Sequence, residues 1–139
     1  MDREKRKEEV KDKIVEAAMK VFAQHGYFKA PVELIAEEAG TSKGLVFWYF
    51  RSKEELIIEV ARKALPTDVI SECLTEKLEG RELLTCIGSK YLEKYKDNEK
   101  RLLLVNTLSL ANMNELIRKE LLGMCNELLN EVGEKVYGT

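Results

Sequence analysis

Ala39-Gly40-Thr41-Ser42-Lys43-Gly44-Leu45-Val46-Phe47-Trp48-Tyr49-Phe50-Arg51-Ser52-Lys53 is the stretch on which the reading of this chain turns. It reads as a turn at Gly40, a short helix ending in four consecutive aromatics, and a second cap at Ser52. At 3.6 residues per turn, Val46 and Phe50 fall on one face, while Lys43, Gly44, Phe47 and Trp48 fall on another. The first face suits a core. The second combines a cation, a bare backbone position and two large rings, a poor surface to leave in water unless something docks on it.

Outward from this stretch, apolar residues recur at helical spacing and no alternating segment suggests a strand, so the chain is expected to be all-α. Asp2 is placed to cap a long first helix whose stripe is Val10, Ile14, Ala17, Ala18, Val21 and Phe22, closed by Gly26. Pro31 suits the first position of a second helix that buries Leu34, Ile35 and Ala39 and stops at Gly40. The third helix spans about Ser42 to Phe50. Ser52 and Glu55 form a capping box that opens a fourth, with Leu56, Ile57, Val60, Ala61 and Ala64 ending at Pro66.

The rest of the chain follows without a flexible linker. Thr67 is expected to cap a helix through Leu78 closed by Gly80, and another spans roughly Arg81 to Tyr95. Asn98 is expected to cap the next, in which Leu102 to Met113 is apolar nearly all round and predicts a buried central helix. Asn114 can cap the last. There Ile117, Leu121, Met124 and Leu128 form one seam beside a second of Leu122, Cys125, Leu129, Val132 and Val136, a face wide enough to need partners on two sides.

Composition narrows the function. A chain of 139 residues fits one domain, or a small domain with an extension. No apolar run is long enough to cross a bilayer, and the charged N-terminus is no signal peptide, so no membrane partner is expected. Cys73, Cys86 and Cys125 lack metal-ligand spacing; their odd number without a secretion signal predicts a reduced, cytoplasmic protein with cysteines as small core residues. A net charge of −2 argues against binding nucleic acid by bulk positive charge. Residues 1–53 nonetheless carry eleven basic against nine acidic side chains, and residues 54–139 twelve against sixteen, which places any anion-binding surface near the N-terminus.

The second helix, the turn at Gly40 and the third helix make a helix-turn-helix, a motif whose second helix enters the major groove of DNA. Thr41 and Ser42 lie at the entry of that helix, and Gly44 permits close approach of its backbone to a duplex. Lys43 can donate to guanine or a phosphate, and Leu45 can meet a thymine methyl. Phe47 and Trp48 offer apolar contact to thymine methyls and sugars, the Trp48 indole N–H reaches for a phosphate, and Tyr49 divides between packing and phosphate contact. Lys53, at a helix N-terminus, is a natural phosphate clamp. Arg3, Lys5, Arg6 and Lys7 form a basic arm that could follow the adjacent groove; a solvated helix end is the plainer reading. Glu33 could accept from cytosine N4 or stand as a surface carboxylate, and His25 beside Gly26 reads as structural.

Residues from about Ile14 to Leu56 resemble the DNA-binding domain of the tetracycline-repressor (TetR) family of transcriptional regulators. The matching residues are Ala17-Ala18 and Phe22, then Gly26-Tyr27, Ile35-Ala36, Ala39-Gly40, Ser42-Lys43-Gly44, Tyr49-Phe50 and Ser52-Lys53-Glu54-Glu55-Leu56. The resemblance implies a three-helix DNA-binding domain, residues 1–53, followed by a helical ligand-binding and dimerisation domain, residues 54–139. It further implies a repressor on a palindromic double-stranded operator, a homodimer, and a small-molecule effector. Two positions depart from the family: Phe47 stands where Tyr is common, and Ala30-Pro31 where Thr or Ser often caps the second helix. The chain is also expected to lack the last two helices of the family, which would weaken a dimer.

Cys86, Tyr91, Tyr95, Asn106, Asn112 and Met113 are the polar or adaptable residues offered as lining for an effector cavity, each with packing or surface as its plainer role; the cavity itself rests on family analogy. Two other classes stay open. One is a shortened regulator that pairs with a full-length partner through its last helix. The other is an enzyme, for which there is no Ser/His/Asp set, metal cluster or phosphate loop, so neither catalysis, a metal nor a cofactor is expected.

Overall fold

A computed structural model describes residues 3–137 as eight helices: α1 (Arg3–His25), α2 (Val32–Ala39), α3 (Lys43–Tyr49), α4 (Lys53–Ala64), α5 (Thr67–Thr75), α6 (Gly80–Lys94), α7 (Asn98–Met113) and α8 (Glu115–Tyr137). No strand occurs among the described residues, as the apolar spacing predicted. The expected cap at Asp2 lies outside them. The chain divides into two compact units between Val60 and Ala61, within α4.

In the first unit the local signals act where they were read. The amide of Gly26 closes α1 on the Phe22 carbonyl at 2.8 Å. Gly40 ends α2 at φ 71°, a left-handed conformation that costs other residues, and there the amide of Thr41 donates to the Ala36 carbonyl at 2.9 Å. The Ser42 hydroxyl accepts from the Leu45 amide at 3.1 Å and opens α3. Ser52 accepts from the Glu55 amide while Glu55 accepts from the Arg51 amide, both at 3.1 Å, so the capping box opens α4. Ile14, Ala18 and Phe22 of α1, Ile35 of α2, Val46 of α3 and Leu56 and Val60 of α4 are buried together with Phe50. Each large side chain taken fully out of water contributes about 1.5–3 kcal/mol. Leu34 and Ala39, expected inside, are only half-buried; Val32 and Ala36 take that face of α2 instead.

The second unit departs further from the sequence reading. α5 stops at Thr75, not Leu78, because Lys77 turns the chain at φ 58°, and Gly80 at φ 57° opens α6 instead of closing α5. The cap of α7 is Asp97, which accepts from the Glu99 amide at 2.8 Å, so Asn98 is the first helical residue. Thr67 likewise begins α5 behind Pro66. Asn114 does cap α8, accepting from the Ile117 amide at 3.0 Å.

Burial is where the pattern misled. α7 buries only Leu103, Thr107 and Leu110; Leu102, Val105 and Leu108 are exposed, so it is no central helix. In α8 only Ile117 and Leu121 are buried, and Leu122 and Leu129 face outward. Both helices are apolar on more sides than their neighbours in this unit can cover.

The cysteines correct the sequence reading most directly. Cys73 on α5 and Cys86 on α6 form a disulfide with a Cα–Cα distance of 5.9 Å, so these two are not reduced thiols; Cys125 is free. Lys90 of α6 pairs with Glu72 and Glu76 beside the same bond.

The end of α6 also holds the end of α4. The Tyr95 hydroxyl donates to the Ala64 carbonyl at 2.7 Å, and the Lys94 ammonium reaches the Lys63 and Leu65 carbonyls and the Asp68 carboxylate. Carbonyls that a helix C-terminus leaves without partners are thereby satisfied. Burial, and then the nearby Asp68 carboxylate, push the Tyr95 phenol above its usual range.

Candidate nucleic-acid interface

α3 packs through Val46, with Phe50 just beyond its end, and turns its other side to solvent. Trp48 is 62% exposed, the outcome that distinguishes a reading surface from a core residue. Ser42, Lys43 and Gly44 are exposed, and Thr41, Leu45, Phe47 and Tyr49 half-buried, so the candidate residues of the motif lie along one helix and its entry turn. The Trp48 and Tyr49 rings meet edge to face at 4.9 Å, which restrains both.

Gly44 is not required by the fold. A Cβ there would meet only the Ser42 hydroxyl oxygen, at an ordinary 3.9 Å. A glycine inside a helix costs about 1 kcal/mol against alanine, so its bare backbone is a cost with no return within the protein.

The charges of the surface are partly engaged. Lys43 is ion-paired with Glu33 of α2, and that hydrogen bond, more than any other cause, holds the Glu33 carboxyl below the usual carboxylate range. Glu33 is therefore a surface carboxylate bound to the motif's own lysine. Lys53 donates to the Phe28 carbonyl at 3.1 Å, bracing the loop before α2. Desolvation lowers its ammonium pKa, against the opposing charge of Glu33.

Two contacts were not legible in advance. The Lys7 ammonium lies 5.5 Å from the centre of the Trp48 ring, and the Lys11 ammonium 5.7 Å from that of Phe50. Their four-residue spacing was the available signal, but which rings they would meet depends on packing between distant segments. The effector candidates do not gather in the same way: Cys86 is in the disulfide, the Tyr95 hydroxyl is closed on Ala64, and Asn112 and Met113 are exposed. Tyr91 stacks at a tilt on Tyr95, and Asn106 is half-buried on α7.

A helix with one buried face, a glycine-closed turn and a second helix exposing a lysine, a bare backbone and an indole define a protein of the helix-turn-helix class. Residues 14–60 match the family model described as bacterial regulatory proteins, tetR family. Over that segment, which is the helix-turn-helix with the helices before and after it, the chain is similar to that family. It is 29% identical over 118 residues to the fatty acid metabolism regulator protein of Bacillus subtilis, covering 84% of this chain and 58% of that protein. It is 39% identical over 64 residues to the transcriptional repressor AcnR of Corynebacterium glutamicum, covering 45% and 34%. Among solved structures, a TetR-family regulator from Mesorhizobium loti superposes with a TM-score of 0.68 at 23% identity, over 96% of this chain and 72% of that one. The fatty acid degradation regulator FadR of Bacillus halodurans gives 0.61 at 28% identity, over 91% and 69%. The chain spans about three-fifths of the first of these curated relatives.

Proposed function

We propose that this chain is a DNA-binding transcriptional regulator, a cytoplasmic repressor without catalytic activity, that inserts α3 into the major groove of a palindromic operator. Thr41, Ser42, Lys43, Gly44, Leu45, Phe47, Trp48, Tyr49 and Lys53 are its contact residues. The observation that carries this reading is the exposed Trp48 beside a glycine the fold does not need. Gly44 lets the helix backbone approach a sugar-phosphate strand, Lys43 exchanges Glu33 for guanine or phosphate, and Phe47 and Trp48 cover thymine methyls.

Two copies joined through the second unit would set half-sites about 34 Å apart. A small molecule that binds that unit better in one conformation lowers operator affinity by the same factor by which DNA weakens the ligand.

Selection of bound fragments from a random duplex pool tests the reading. A two-fold symmetric consensus is the expected result. Recovery of no enriched sequence, with Trp48→Ala selecting the same pool as the parent, would remove it.

A further inference from the structure

The first three turns of α1 lie before the family match, which starts at Ile14, yet they are helical from Arg3 onward. One face of them is predominantly cationic. Arg3, Lys7 and Lys11 recur every four residues and run into Ile14 and Ala18, the same stripe that is core one turn later. Arg6 flanks this stripe, Glu4 borders it, and Glu8, Glu9, Asp12 and Glu16 fall on the far side with Lys5 and Lys13 among them, so the far side is mixed where the stripe is cationic. Where α1 runs past the core, its inward face therefore changes from apolar to cationic. None of Arg3, Arg6, Lys7 and Lys11 is ion-paired among the described residues, while Lys7 and Lys11 lie over Trp48 and Phe50.

We propose that residues 3–11 of α1 are a second DNA-contacting element, a helical arm whose Arg3, Lys7 and Lys11 take backbone phosphates beside the major-groove site read by α3. This rests on the DNA-binding reading above and extends it beyond the helix-turn-helix. Two rings of the reading segment hold the stripe beside α3, so the cations arrive with Trp48 as one surface. An exposed cation over a ring contributes only about 0.5–1 kcal/mol to the fold, too little to explain a whole face of such residues. From Arg3 to Lys11 the helix rises about 12 Å, the length of roughly three to four base-pair steps. Phosphate contacts of this kind carry no sequence information; they add affinity and fix orientation.

The test is the salt dependence of binding to a 30-base-pair random-sequence duplex, followed by fluorescence anisotropy from about 50 to 300 mM salt. The triple variant Arg3→Gln, Lys7→Gln, Lys11→Gln is expected to lower the slope of log K against log salt by roughly 2–3 units, at about 0.9 for each phosphate no longer neutralised. Lys7→Arg with Lys11→Arg keeps the parent slope, and Glu8→Gln with Glu9→Gln does not lower it. Trp48 is the only tryptophan, so its emission in the free protein reports that the triple variant is folded and that Lys7 has left the ring. A parent-like slope in the triple variant, alongside a reduced slope for Lys43→Gln, overturns the arm and leaves the α3 reading standing. A parent that does not bind the duplex at all overturns both.

Discussion

Trp48→Ala separates a reading surface from a packing residue by comparing two free energies. A tryptophan buries up to about 250 Å², and with 62% of it exposed only about 90 Å² is covered here. At 25 cal/mol per Å² that area is worth at most about 2 kcal/mol. Part of the contact is local to α3 and persists in a compact denatured chain, and alanine is the better helix former. The net loss of stability is therefore about 1 kcal/mol, a fall in melting temperature of roughly 3–4 °C for a chain of 139 residues. Phe22→Ala, at a fully buried ring, is expected to cost about 3–5 kcal/mol. Binding should respond in the opposite order. An aromatic anchor at the centre of an interface carries about 2 kcal/mol or more, so Trp48→Ala should weaken binding to the selected operator by about 30-fold or more. Thermal denaturation and anisotropy on the same preparations make the comparison. Binding within twofold of the parent, or a stability loss equal to that of Phe22→Ala, would refute the outward reading of α3.

Gly44→Ala should leave the fold as stable as the parent, or up to about 1 kcal/mol more stable, while reducing operator affinity at least about tenfold; unchanged affinity would mean that no strand approaches the helix backbone there. Cys86→Ser, or reductant, opens the bridge between α5 and α6, whose ends are 13 residues apart. A loop of that size corresponds to about 3 kcal/mol at most, read as a lower urea midpoint, and an unchanged midpoint in reductant would show that the bond does not constrain the denatured chain. Tyr95, with its phenol pKa raised by burial, contributes stability that is complete below the ordinary tyrosine range and is lost as pH climbs through it. Phenolate absorbance should show a late step as the protein unfolds, and Tyr95→Phe should reduce that step by one tyrosine.

Much of the first unit was legible because its decisive interactions are local. Gly40, Ser42 with Leu45, and Ser52 with Glu55 each act within a few residues, so residue type and spacing suffice to place the turn and both caps. The apolar phase of α3 then leaves Trp48 outside, because Val46 and Phe50 already occupy the inward side. Asn114 capping α8 belongs to the same kind of evidence.

The second unit was less legible, since its helices are apolar on more than one side and periodicity alone does not say which side a neighbour covers. Leu102, Val105 and Leu108 read as core and lie exposed. The Lys43–Glu33 pair was missed as a pair because each partner had a plausible separate role in solvent.

Residue type and short-range spacing determined by themselves that this chain is helical, that it contains a turn between two short helices, and that one of them turns an indole outward. Only the tertiary structure decided that Cys73 meets Cys86, that Tyr95 closes on Ala64, and that Lys7 lies over Trp48. Caps and turns are settled over three or four residues of backbone. Pairings across 13 to 41 positions depend on how whole helices pack, and no local pattern encodes them.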